Sequence, residues 1–343
     1  MDPRKPRRIG DYELLAQLGR GGMAQVFAAR RLGEPAAPVV ALKKLDAPGD
    51  PDAHARFVDE ARVLAMLSHP HIATVFEVEV DGPVPYMVME LVDGVDLRTL
   101  MKRCCTIDAL PSFPAALTII AQAALALDHA HRRTDVDGRP LRLVHRDISL
   151  SNLMITRSGD VKVLDFGIAR SRLSTVHTEP GLVRGKPAYM APEQALGHHV
   201  TYRADIFSLG VVLYELTTGV RCFNAASDVE SMCAVVRGEY TLPSEFRTDY
   251  PPMLERAIQV ALATDPDNRF ASCAQFVTAL EDVMAEHRWI GGADKVATMV
   301  ANAFSSPHTP VPCRDVPTLR GVGVGFEEQL TRGNPRMPRG NHR

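Results

Sequence analysis

The segment Leu143–Asn152 reads LVHRDISLSN, and Asp165-Phe166-Gly167 follows eighteen residues after Asp147. Any fold for this chain must bring Asp147, Asn152 and Asp165 to one place for the pattern to have meaning. One carboxylate to orient a hydroxyl, then an amide and a second carboxylate to hold metal, is the equipment of phosphoryl transfer.

Upstream, Leu18-Gly19-Arg20-Gly21-Gly22-Met23-Ala24-Gln25-Val26 leaves one strand and enters another. Backbone N–H groups can close over phosphates there because no Cβ stands in the way, and Ala24, in the place of a further glycine, is small enough to permit it. Seventeen residues beyond Val26 comes Lys43, in Val40-Ala41-Leu42-Lys43, a strand lysine able to reach the α- and β-phosphates. Glu60 stands on the next helical segment, placed to clamp Lys43 by an ion pair. Met87–Gly94 then supplies apolar residues and backbone groups at a strand end. Adenine is expected against the backbone of Glu90 and Val92, with Met89 beside the deep pocket and Asp96 near ribose.

Two regimes of periodicity divide the chain. Tyr12–Leu15, Gln25–Ala29, Val39–Lys43, Ile72–Val80 and Tyr86–Leu91 read as strands, with an Asp81-Gly82-Pro83 turn and one helix at Pro51–Ser68 among them. After a hinge at Val92-Asp93-Gly94 the pattern is helical: Leu97–Cys104, Pro114–His131, Tyr202–Thr218, Val229–Arg237, Pro252–Leu262 and Cys273–His287. Val136–Pro140 reads as a surface hairpin. Residues 284–343 are expected to be a tail, with a short helix at 293–304 followed by disorder in a stretch rich in Gly, Pro, Asn and Arg.

With 343 residues, 45% hydrophobic and 23% charged, the chain can fill two cores of ordinary globular type. A formal net charge of −2 argues against nucleic acid as the main ligand, although Arg4-Lys5-Pro6-Arg7-Arg8 makes residues 1–8 a basic tail. Leu209–Leu216 stands out as the longest apolar patch, and no window is expected to approach the roughly 20 apolar residues that cross a bilayer. No membrane partner and a cytoplasmic location are therefore expected. The six cysteines lack paired spacing, so they are expected to be reduced thiols rather than a zinc site or a disulfide frame.

Glycine flap, Lys43, Glu60, His145-Arg146-Asp147 with Asn152, Asp165-Phe166-Gly167 and Ala191-Pro192-Glu193 occur together in one order. In this the chain resembles the protein kinases, specifically the bacterial eukaryotic-like (Hanks-type) serine/threonine kinases, over residues 9–283. The resemblance implies an α+β bilobal fold, with a β-rich N-lobe at about 9–91 and a larger helical C-lobe at about 93–283. It implies ATP and Mg²⁺, or Mn²⁺, in the cleft, and γ-phosphate transfer to protein Ser/Thr hydroxyls. Asp147 would be the base, and Asn152 and Asp165 the metal ligands. Leu18, Gly19, Gly21, Val26, Ala41, Lys43, Met89, Glu90, Val92, Asp96 and Met154 would line the nucleotide. Asp205 would brace the catalytic loop and Arg269 would pair with Glu193.

Two positions depart from that pattern. Ser149 stands where Ser/Thr-directed members usually carry lysine, and Lys186 where they usually carry threonine. The expectation is an exchange: Lys186 reaches back toward Asp147 and the γ-phosphate while Ser149 supplies the hydroxyl. A unit charge about 4 Å from phosphate interacts by roughly 4 kcal/mol at an effective dielectric near 20, a factor of about a thousand in rate if fully expressed. The alternative is a lost cation, leaving a pseudokinase or nucleotide-binding scaffold. Thr178, then Thr175, are the expected autophosphorylation sites, reached in a kinase–kinase dimer.

Overall fold

In the computed structural model, residues 8–20, 24–46, 50–80, 85–166 and 187–305 are described, the Arg56 side chain excepted. The expectations for Gly21, the Asp81–Pro83 turn, Lys186, Thr175, Thr178 and the segment after residue 305 lie outside them.

The first half is a six-stranded antiparallel sheet built from β1 (Arg8–Ile9), β2 (Tyr12–Arg20), β3 (Ala24–Arg31), β4 (Val40–Leu45), β5 (Val75–Glu79) and β6 (Tyr86–Met89), in the order β1-β2-β3-β4-β6-β5. The β3/β4 register sets Val26 opposite Lys43, and the β4/β6 register sets Ala41 opposite Met89. Helix α1 (Pro51–Ala65) starts at Asp50, whose carboxylate accepts from the N–H groups of Asp52 and Ala53 at 3.0 Å, with proline in its first turn. Phe57, Ala61 and Leu64 recur at helical spacing and are all buried against the sheet. Glu60 shares that buried face.

Two expectations need correction here. Arg8 belongs to a strand rather than to the basic tail. Ile72 does not open β5: it makes a parallel bridge to Val163, and Ala73 N–H donates to Val163 carbonyl at 3.1 Å. The loop behind α1 is thus stitched to the second half of the molecule, a long-range pairing without a local signal.

The second half is centred on α3 (Phe113–His131), flanked by α5 (Arg203–Thr218) and α9 (Cys273–Glu286). Around them lie α2 (Leu97–Thr106), α4 (Pro192–Ala195), α6 (Asp228–Arg237), α7 (Pro243–Phe246), α8 (Pro252–Ala261) and α10 (Ala293–Ser305). Helix α3, not Leu209–Leu216, is the longest apolar stretch, and by length and composition alone it could cross a bilayer. Its residues are mostly buried between α5 and α9, which makes it the core helix of this half. The segment expected as a tail from residue 284 instead completes α9, stacks Trp289 on Phe113 at 5.3 Å and packs α10 against α2 and α3.

Between the halves lies a small sheet of β7 (Gly94–Asp96), β8 (Leu153–Thr156) and β9 (Val161–Val163). Gly94 begins β7 where a Cβ would come within 2.0 Å of the Ile155 carbonyl oxygen, so only glycine lets the hinge segment pair with β8. The Val136–Pro140 loop is a hairpin closed by a Thr134–Pro140 bridge, as its Asp-Gly turn predicts. The five described cysteines are free thiols.

Candidate active site

Strand β4 and helix α1 face each other, and Lys43 Nζ donates to Glu60 Oε1 at 2.8 Å and to Asp165 Oδ1 at 2.7 Å. Burial by itself would push the Lys43 amine down. The two carboxylates, Asp165 first, outweigh it and hold the amine above the ordinary lysine range. Lys43 is therefore a fixed cation in the cleft.

Asn152 immediately precedes β8, and Asp165 lies two residues past the end of β9. The hairpin between them brings its ends together, as Leu164 N–H donates to the Asn152 carbonyl at 2.9 Å. Asn152 Nδ2 donates to the Asp147 carbonyl at 2.7 Å and to its carboxylate at 2.9 Å, which aligns the loop and leaves Oδ1 as the amide's remaining donor atom for a metal. Ser149 is fully buried inside the same loop, and its carbonyl accepts from Asn152 N–H at 3.0 Å.

The catalytic loop is held from below. Asp205 on α5 accepts from the N–H groups of His145 at 2.9 Å and Arg146 at 2.8 Å, and meets His131 Nε2 at 2.7 Å. Burial raises the Asp205 carboxyl, but His131, His145 and these donors bring it below its ordinary value, so it stays ionised. Burial drives His145 down, and its Nε2 lies 2.9 Å from the Leu164 carbonyl while its ring meets Phe166 at 4.6 Å. Arg146 and Asp165 hold positive φ values of 64° and 48°, conformations that only such surroundings maintain in residues with a side chain.

Of the residues expected to line a nucleotide, Ala41 and Met89 are buried, Val26 and Met154 half-buried and Leu18 exposed. Gly19 lies in β2 opposite Val26. The Glu90 side chain pairs with Lys162 at 2.9 Å and accepts from Thr74 N–H at 3.2 Å, while its own N–H donates to the Thr74 carbonyl at 2.8 Å. Asp96 caps α2, accepting from Thr99 N–H at 2.9 Å and Thr99 Oγ1 at 2.7 Å, a cap that the Asp-x-x-Thr spacing announces. Met154 lies opposite Asp96 on β8.

Further down, Arg269 and Glu193 form a buried two-point pair, 2.8 Å at each contact, with the guanidinium over the Phe207 ring. Residues that the sequence left unmarked also matter: His131 on Asp205, Gln194, whose Nε2 donates to the Arg146 carbonyl at 3.1 Å, and Gln122, which accepts from Val161 N–H at 2.7 Å. None belongs to a local pattern.

Comparison with known proteins gives the same class. The family described as protein kinase domain matches residues 12–289. Tyrosine-protein kinase MasK of Myxococcus xanthus is 39% identical over 336 residues, 95% of this chain and 52% of its own length. Serine/threonine-protein kinase PknB of Mycolicibacterium smegmatis is 39% identical over 277 residues, 79% of this chain and 42% of its own length. The PknI kinase domain of Mycobacterium tuberculosis superposes with a TM-score of 0.61 at 29% identity, covering 82% of this chain and 99% of that one. This chain belongs to the protein kinase family, and it spans about half the length of these curated relatives.

Proposed function

We propose that the chain is an ATP-dependent serine/threonine protein kinase acting in cytoplasmic signalling, with autophosphorylation between two copies. The observation that carries this reading is the contact of Lys43 with both Glu60 and Asp165, which draws strand, helix and hairpin into one cleft beside Asp147.

In this reading the acceptor hydroxyl lies against Asp147. Its oxygen forms a bond to the γ-phosphorus as the bond from that phosphorus to the β,γ-bridging oxygen breaks, ADP departs, and the hydroxyl proton passes to Asp147. Lys43 holds the α- and β-phosphates, and Glu60 keeps the amine oriented. Asn152 Oδ1 and the Asp165 carboxylate are hard oxygen donors, too few to enclose an ion alone. Such a donor pair fits Mg²⁺, or Mn²⁺, which is bound through one or two protein oxygens beside substrate phosphates. A divalent ion held by Asn152 and Asp165 would supply neutralisation of the charge that develops on the phosphates.

A second reading concerns the acceptor. Ser149 replaces the lysine usual in Ser/Thr-directed members, and the relative with 95% coverage is called a tyrosine kinase. Incubation with radiolabelled Mg-ATP, alone and with a basic protein substrate, followed by acid hydrolysis, separates the readings. Phosphoserine and phosphothreonine support the first, and phosphotyrosine the second. Asp147→Asn should lower transfer by a factor of about 10²–10⁴. An Asp147→Asn variant as active as the parent would sink the kinase assignment.

A further inference from the structure

Helix α10 lies beyond residue 289, where the family match ends, and yet it is docked at both of its ends. At its start, Gly159 in the β8/β9 turn lies so close that a Cβ there would come within 1.8 Å of the Ala293 carbonyl oxygen and 2.7 Å of Ala297 N. Gly159 also has a φ of +89°, so the position demands glycine on two counts. Gly292 N–H donates to Thr118 Oγ1 on α3 at 3.1 Å. At its end, Arg103 on α2 donates from Nε to the Ala303 carbonyl at 2.7 Å, satisfying one of the last carbonyls of α10. Between these points Val296 and Ala303 are buried, and Met299 and Val300 pack on the same core, a stripe at helical spacing.

Two of the elements that α10 touches, the β8/β9 turn and α2, border the proposed nucleotide site. The β8/β9 hairpin carries Asn152 at one end and leads to Asp165 at the other. Helix α2 begins at Asp96, at the end of the strand paired with β8. Arg157, in the same turn as Gly159, binds the Asp93 carboxylate at 2.8 Å and joins the turn to the hinge.

We propose that α10 is a positioning element for nucleotide: by seating the hairpin turn at Gly159 and helix α2 at Arg103, it fixes the distance between the Asn152/Asp165 pair and the Asp96 side of the pocket. This inference rests on the proposed ATP site. Loosening either seat spreads the pocket, which weakens nucleotide binding without touching the hydroxyl-orienting Asp147. Loss of folded protein would lower apparent kcat and leave KM in place, whereas a positioning role raises KM.

The test measures Mg-ADP binding by calorimetry and ATP kinetics in the full chain, for the parent, Arg103→Met, Arg103→Lys and Gly159→Ala. Arg103→Met and Gly159→Ala should raise Kd and KM for nucleotide five- to tenfold with kcat within twofold, and Arg103→Lys should recover part of the loss. Binding couplings are reciprocal, so Mg-ADP should also slow amide exchange across 293–305 in the parent protein, a measurement that needs no variant. Arg103→Met and Gly159→Ala binding within twofold of the parent, with exchange across α10 indifferent to Mg-ADP, would overturn the proposal and leave the kinase assignment standing. A parent that does not bind Mg-ADP overturns the kinase assignment and this proposal with it.

Discussion

Arg269 and Glu193 meet face to face in the interior, each charged group all but fully buried and joined by two contacts of 2.8 Å. The guanidinium also donates to the carbonyls of Ala263, Thr264 and Arg203, so it anchors two backbone segments to the helix that follows Ala191. Removing the cation leaves a buried carboxylate uncompensated, which costs about 3–5 kcal/mol. Arg269→Met should shift the denaturant midpoint accordingly. The Glu193→Leu/Arg269→Met double variant should recover only part of the loss, because the three carbonyls stay without their donor.

Glu215 on α5 accepts a hydrogen bond from the Tyr189 hydroxyl at 2.6 Å and is buried. Burial pushes its carboxyl up to about 7, against the opposing effect of the tyrosine and of Arg221. A folded-state value above the unfolded one means that the native protein binds this proton more tightly. The resulting stability is fully present below about pH 4.5 and is lost as pH rises through about 7. Glu215→Gln cannot titrate, so the stability difference between variant and parent should move in favour of the variant by up to about 3 kcal/mol between pH 4.5 and 8. Urea titrations at the two pH values measure it, and a difference that stays constant would refute the assignment.

An exchange of roles between Ser149 and Lys186, as expected from the sequence, predicts an asymmetric pair of variants. Lys186→Met should lose up to about a thousandfold in transfer rate. Ser149→Lys/Lys186→Thr, which restores the usual arrangement, should remain active. Full activity in Lys186→Met would show that the cation plays no part.

Much of this site could be read from the chain because each signal was local. The alternation around Lys43 and the helical spacing of Phe57, Ala61 and Leu64 place Lys43 and Glu60 on facing surfaces, and they meet at 2.8 Å. Strand β7 escaped as a hinge because three residues carry no periodicity, and its identity comes from pairing with β8. The pairing of Ile72 is hidden for the same reason, its partner being Val163 in the other half. The docking of α10 depends on one glycine and one arginine far away in sequence, neither of which advertises a partner. Asp96 is the reverse case: its cap on Thr99 follows from the Asp-x-x-Thr spacing alone.

The resting contact between Lys43 and Asp165 has a consequence for how the cleft is loaded. A bare triphosphate would have to pull the ammonium away from a carboxylate, and a bare divalent ion would have to evict that ammonium first. The ammonium thus occupies one oxygen of the carboxylate that would hold a metal, and a metal–nucleotide complex would offer each of the pair a replacement partner.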